Sequence, residues 1–260
     1  AATLLSFKLV TLRKHQVNSM TTQSAEYYES AHATYWTDVP YERTPLNLLD
    51  ICVPKRQPED PQQAVWLVYI HGGAWRDPMI DRKSLNAALD MILEDDQPHN
   101  VAGFVSLDYR LSPYPSHPTS PSSPDDDSRN VQHPEHLNDI LAALFFLGTN
   151  TGEETRLKSG GTVRLPDTWS IMAGRYVLCG HSCGATLAMQ ATALLSNGPG
   201  AIRPPVALLG MEGIYDLAAL VATHTHPAYR EFIVINCLHD EVWEKGTELA
   251  KAVRAVTNQR

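Results

Sequence analysis

The sequence predicts an α/β domain: a mostly parallel central sheet with helices on both faces. Three observations predict it. The runs Val65–Ile70 and Val101–Leu107 are almost continuously apolar, as in strands covered on both sides. Such runs alternate with segments of helical period, the pattern of a chain of βαβ units. Two strand ends then open into glycine-bearing turns, His71-Gly72-Gly73 and Gly180-His181-Ser182-Cys183-Gly184, where parallel sheets place their ligand sites. With 260 residues, 43% of them hydrophobic, one core and one domain suffice.

Residues 1–19 carry Lys8, Arg13 and Lys14 and no acid. Ahead of Met20-Thr21-Thr22, which looks like an ordinary start, they read as a dispensable extension, with a transit-type segment as the alternative. Residues 20–260 read as the domain. Within it, residues 20–43 are polar and aromatic (Tyr27, Tyr28, Tyr35, Trp36, Tyr41) and predict an arm lying across the body. Residues 46–53 alternate and stop at Pro54, a strand, and 55–63 form a turn.

After Val65–Ile70, residues 83–93 predict a helix and Val101–Leu107 the next strand. At 113–133 the composition shifts to Pro, Ser and Asp, including Asp125-Asp126-Asp127. That stretch builds no core and is expected to be a mobile surface insertion. Three adjacent Asp without further oxygen ligands make a poor metal site. Residues 134–147 place Leu137, Ile140, Leu141 and Leu144 on one helix face. Residues 148–168 read as a second loop, 175–179 as a strand, 185–195 as a helix and 206–211 as a strand. A helix-like piece to about 233, a strand at 234–238 and a closing helix at 242–256 complete the chain.

The net charge of −8 and the scatter of 21 basic residues exclude a nucleic-acid surface, which needs clustered Lys and Arg. No apolar run reaches the ~20 residues of a membrane helix, so a soluble protein is expected. Cys52, Cys179, Cys183 and Cys237 form no C-x-x-C pair and read as reduced core thiols of a cytoplasmic protein.

Chemistry is expected at Ser182. A serine hydroxyl becomes a nucleophile when held exposed beside a base, with donors for the oxyanion. A strand, a Gly-x-Ser-x-Gly turn and a helix supply that geometry, and the helix N-terminus favours developing negative charge. Two glycines after Val65–Ile70 let backbone amides approach a ligand, so Gly72 and Gly73 are candidate oxyanion donors together with the amide of Cys183. Trp75 and Tyr215 beside this face are either aromatic pocket walls or core. His181 reads as a packing residue, and His224 and His226 as solvated loop histidines lacking a third metal ligand.

Taken together, His71-Gly72-Gly73-Ala74-Trp75, Tyr109-Arg110-Leu111-Ser112-Pro113, Gly180-His181-Ser182-Cys183-Gly184 and Gly213-Ile214-Tyr215-Asp216-Leu217 resemble the α/β-hydrolase superfamily, and within it the fungal kynurenine formamidases (arylformamidases). The closing Leu238-His239-Asp240-Glu241-Val242-Trp243 resembles that family's catalytic-histidine segment. The resemblance covers about residues 40–260. It implies hydrolysis of N-formyl-L-kynurenine to L-kynurenine and formate, without cofactor or metal, in tryptophan catabolism towards NAD. It places the nucleophile on Ser182, the histidine on His239 and the oxyanion motif on Gly72 and Gly73.

The triad acid is the difficulty. In this fold the order is Ser, Asp or Glu, then His, yet only residues 212–238 separate the strand ending at Met211 from His239. Each crossover between parallel strands needs at least about 10–12 residues, so two crossovers and a strand do not fit. The chain therefore reads as one strand–helix unit short, with a junction near Ile233-Val234. Asp240 is poorly placed to orient its neighbour His239. Asp216 is the best replacement on chain order and strand-end position, against the alternative that it caps a helix starting near Leu217; Glu212 and Glu231 are weaker. An unoriented imidazole lowered turnover about 10⁴-fold in a serine-protease triad, so the shortened chain is expected to be impaired, with a poorly covered apolar sheet edge. A carboxylesterase of the hormone-sensitive-lipase type and a non-catalytic hydrolase-like binding protein stay open, as does a homodimer.

Overall fold

The structure, a computed structural model, describes residues 23–95, 100–167, 175–197, 202–226 and 229. Its centre is a seven-stranded sheet built from β1 (Glu26–Glu29), β2 (Ala33–Pro40), β3 (Leu48–Pro54), β4 (Val65–Ile70), β5 (Val101–Leu107), β8 (Tyr176–His181) and β9 (Ala207–Met211). The spatial order is β1-β2-β3-β5-β4-β8-β9. β1, β2 and β3 run antiparallel to their neighbours, whereas β5, β4, β8 and β9 are mutually parallel. Parallel pairing is what brings the ends of β4, β8 and β9 to one edge of the sheet.

Side-chain alternation divides the core into two layers. Leu49, Ile51, Val105 and Leu107 point to the face that carries α2 (Glu135–Thr149) and α3 (Cys183–Asn197). On that face Leu137, Ile140, Leu144 and Leu147 of α2 meet Leu187, Ala188 and Ala191 of α3. Cys52 and Phe104 point to the other face and pack with Leu89 of α1 (Asn86–Glu94). The predicted helices and strands of the parallel half up to β9 therefore stand, with ends shifted by a few residues, while the strand expected at 234–238 and the helix at 242–256 lie outside the described residues.

Two expectations are corrected. The aromatic stretch is not an arm across the body: it forms β1 and β2, paired with Tyr28 opposite Tyr35 and Tyr35 opposite Cys52. Tyr and Trp are strong strand formers, and Ser30, whose Oγ accepts from His32 and Ala33 N–H, closes the turn between them. Residues 148–168 are not all loop, because β6 (Glu154–Arg156) and β7 (Thr162–Arg164) make a hairpin. Trp36 Nε1 donates to Arg164 O at 3.0 Å and ties it to β2. The Pro- and Ser-rich stretch after Pro113 has neither helix nor strand, but Arg129, Asn130 and Ser122 bond back onto it.

β9 is the last strand of the described sheet and is exposed throughout. Val206 and Leu209 are each 51% exposed, and Leu208 and Met211 are also open to solvent. This is the poorly covered apolar edge expected on the C-terminal side of the sheet. The short helix α4 (Leu217–Thr223) follows it. Ile233-Val234, Glu231, Cys237, His239 and Asp240 lie outside the described residues, as do residues 1–19.

Candidate active site

β8 delivers the elbow. Cys179 pairs with Tyr69 and Gly180 with Ile70 in the adjacent β4, and α3 starts at Cys183 with no intervening loop. Ser182 sits at the apex with φ 53°, the left-handed region that non-glycine residues rarely occupy. The turn closes only because its flanking residues lack side chains. A Cβ on Gly184 would lie 2.3 Å from Ile70 O, and one on Gly180 would lie 2.4 Å from Gly184 O. Backbone hydrogen bonds then hold the apex: Ser182 N–H donates to Met211 O at 2.8 Å, and Ala185 N–H to Ser182 O at 3.0 Å.

The glycine loop after β4 packs directly against that apex. A Cβ on Gly72 would stand 3.1 Å from Ser182 Cβ and 3.0 Å from His181 Nδ1. Gly73 has φ +94°, and Ala74 and Trp75 follow at 50° and 60°. Among the described residues no acceptor takes the Gly72 or Gly73 N–H, and the Cys183 N–H is one of the unpaired first donors of α3. Of the five described non-glycine residues with positive φ, four, namely Ala74, Trp75, Ser182 and Glu212, thus lie at the ends of the adjacent strands β4, β8 and β9. Strained backbone clusters where surrounding structure over-determines it, and functional sites are the usual place.

Buried polar groups fix the loop from beneath. Tyr109 Oη donates towards His71 O at 3.1 Å and Gly72 O at 3.2 Å, and its ring stacks on the His71 ring with centroids 4.5 Å apart. His71 Nδ1 donates to Gly72 O at 2.8 Å, because a carbonyl can only accept. Burial lowers the His71 pKa against the opposing pull of Asp108, whose Oδ1 lies 3.6 Å from the other ring nitrogen, Nε2. Trp75 N–H donates to Cys183 Sγ at 3.3 Å. Burial pushes the Cys183 thiol up to about 11, so it stays protonated.

A second layer anchors Asp108. Arg82 is buried and its guanidinium binds Asp108, Asp50 at 2.8 Å and Asp38. Arg110 pairs with Asp139 at 2.7 Å and Glu135 at 2.8 Å, and Ser112 Oγ meets His136 Nε2 at 3.0 Å. The stretch Tyr109-Arg110-Leu111-Ser112-Pro113 is therefore scaffolding for the glycine loop. The sequence alone assigns it no role. Nothing in one sequence pairs Tyr109 with Gly72 or Arg82 with Asp108, since those contacts join segments that follow different strands.

Of the predicted site residues, Ser182, Cys183, Gly72 and Gly73 come together. Asp216 lies on the loop after β9, at the same sheet edge, and its side chain accepts from Ala219 N–H at 2.8 Å as the N-cap of α4. Trp75 is 5% exposed and belongs to the core, whereas Tyr215 is 37% exposed, with its hydroxyl over Gly210 and its ring over Gly213. His224 is exposed and bonds locally to Leu220 O at 3.2 Å. Among the described residues no cluster of His, Cys, Asp or Glu is arranged to hold a metal, and no helix is long and apolar enough to cross a membrane. A cavity of about 580 Å³ lies elsewhere, between β1–β3 and α1, lined by Tyr28, Tyr35, Asp50 and Asp90. It includes none of the elbow residues.

This arrangement can present a serine hydroxyl beside unpaired backbone donors. The chain is 34% identical over 201 residues to the kynurenine formamidase avaC of Aspergillus versicolor, covering 75% of this chain and 61% of that protein. It is 33% identical over 198 residues to the kynurenine formamidase-like hydrolase fscH of Fusarium equiseti, covering 73% and 60%. The chain thus spans about three fifths of the length of these curated relatives. No family model matches it. Among solved structures, esterase B of Lactobacillus rhamnosis superposes with TM-score 0.55 at 14% identity, covering 83% of this chain and 60% of that one. The fold is that of the α/β-hydrolases.

Proposed function

We propose, for a chain that has the α/β-hydrolase fold and is related to the fungal kynurenine formamidases, that it hydrolyses the formamide of N-formyl-L-kynurenine to L-kynurenine and formate. The observation that carries this reading is the left-handed Ser182 with the Gly72 loop packed against its Cβ. Ser182 Oγ attacks the formyl carbon and passes its proton to the imidazole of His239. The carbonyl oxygen takes up negative charge, which the N–H groups of Gly72, Gly73 and Cys183 meet. Collapse breaks the C–N bond, and the imidazolium returns the proton to the departing aryl amine. Water, activated by the same base, then cleaves the formyl-serine ester and releases formate.

Asp216 is the proposed acid. A carboxylate accepts at both oxygens, so capping α4 and orienting an imidazole are compatible. Tyr215 is the proposed aryl contact, and the buried Trp75 acts through the loop it shares with Gly73. The reaction needs no cofactor. We place the protein in the cytoplasm, where its buried thiols Cys52, Cys179 and Cys183 stay reduced, and the exposed apolar β9 edge is compatible with a homodimer.

The test is release of L-kynurenine from N-formyl-L-kynurenine by the purified chain beside Ser182→Ala. Turnover abolished by that substitution supports the reading. A folded chain that cleaves short p-nitrophenyl esters but leaves the formamide untouched makes it a carboxylesterase, and one whose Ser182 resists a fluorophosphonate makes it a binding protein.

A further inference from the structure

One strained residue at this site has no part in the mechanism above. Glu212 follows β9 with φ 50°, and its side chain is 85% exposed. An L residue enters that region only when something holds it there, and a glycine would make the same turn freely. What the side chain touches is His181: Glu212 Oε2 lies 3.3 Å from His181 Nε2. With its proton on Nε2 donated to the carboxylate, the ring turns its other nitrogen towards the oxyanion loop. A Cβ on Gly72 would meet His181 Nδ1 at 3.0 Å. Glu212 is itself fixed relative to the nucleophile, because the carbonyl of Met211 beside it accepts the Ser182 N–H at 2.8 Å.

The chain Glu212, His181, Gly72 therefore links the end of β9 to the glycine loop across the face of the elbow. We propose that Glu212 is a positioning residue: its carboxylate sets the His181 ring, and the ring wedges Gly72 at the spacing from Ser182 that oxyanion donors require. The Ser182 N–H bond to Met211 O holds the backbone beside Glu212 in place, so that its carboxylate reaches His181. The proposal rests on the serine-hydrolase reading of the site but not on its substrate.

The experiment compares wild type, Glu212→Gly and Glu212→Gln, with p-nitrophenyl acetate as substrate and a fluorophosphonate as the Ser182 probe. Glu212→Gly relaxes the backbone and deletes the wedge's anchor. It is expected to lower kcat and the labelling rate about tenfold, a fraction of the loss seen when a whole oxyanion donor is removed. KM should stay within about twofold, and Tm should be unchanged or higher because the left-handed residue is now glycine. Glu212→Gln keeps an acceptor for His181 Nε2–H and should recover kcat to within about threefold of wild type.

The proposal is overturned if Glu212→Gly keeps wild-type kcat and labelling, if Gln falls as far as Gly, or if kcat falls only together with Tm. It is also overturned if wild-type Ser182 is not labelled, since there is then no working oxyanion loop to position. Loss of the formamidase reading looks different: wild type would label and cleave the acetate ester while leaving N-formyl-L-kynurenine intact, and the Glu212 comparison would still run.

Discussion

Gly72→Ala probes whether the glycine loop and the elbow form one site. The added Cβ would lie 3.0 Å from His181 Nδ1, 3.1 Å from Ser182 Cβ and 3.2 Å from His181 O, where ordinary contact begins at 3.4 Å. The ring can rotate away, but Ser182 Cβ and the His181 carbonyl belong to the elbow and cannot. Loop and elbow must therefore separate by a few tenths of an ångström. Oxyanion donors act at about 2.7–3.1 Å, and loss of one whole donor costs roughly 10²–10³ in kcat. A displacement of this size is expected to cost about 10- to 100-fold, or about 1.4–2.7 kcal/mol of barrier. The methyl group overpacks only locally, at about 1 kcal/mol of stability. Steady-state kinetics and fluorophosphonate labelling measure the first effect, and urea unfolding the second. Gly148→Ala is the control: its Cβ meets the Ile202 side chain at 3.2 Å, a neighbour that can yield, in a helix that gains up to about 1 kcal/mol from alanine. Wild-type kcat in folded Gly72→Ala would refute the claim that this loop serves Ser182.

Three further predictions follow from the scaffold. Burial pushes the pKa of His136 down to about 3, while the unfolded chain titrates near 6.5. The unfolded state thus binds the extra proton between those values, so this histidine makes stability fall on acidification below about 6.5, by up to ~1.4 kcal/mol per pH unit. Urea midpoints of His136→Gln should fall less steeply than wild type between pH 6 and 4.5, and parallel curves would contradict the assignment. Asp216→Asn preserves a good N-cap for α4, whereas Asp216→Ala should cost about 1 kcal/mol in unfolding experiments. If Asp216 also orients the base, both lose turnover; activity that tracks stability alone assigns it to the cap. Arg82→Leu strands Asp108, Asp50 and Asp38 beside an apolar group and should destabilise the fold by about 3–5 kcal/mol. A change in urea-unfolding stability below about 1 kcal/mol would mean that the three carboxylates find other partners.

The parallel half of the sheet was readable in advance, because strands buried on both faces need unbroken apolar runs and Val65–Ile70 has no other use. The antiparallel half was misread. Tyr27, Tyr28, Tyr35 and Trp36 sit on half-open strands whose pattern is ambiguous until β3 offers a partner. The hairpin of β6 and β7 was missed because three-residue strands carry too little period to detect.

Ser182, Cys183, Gly72 and Gly73 were legible because an elbow and a two-glycine strand end are local backbone requirements, and local requirements leave residue types behind. The sequence by itself thus determined the fold class and the candidates for nucleophile and oxyanion donors. Only the tertiary structure decided that Tyr109 and His71 hold the loop, that Arg82 ties Asp108 to β2 and β3, that Trp75 is core and that Glu212 reaches His181. Those residues meet across different strands, and a contact between distant segments is set by sheet order and packing, which no single segment encodes.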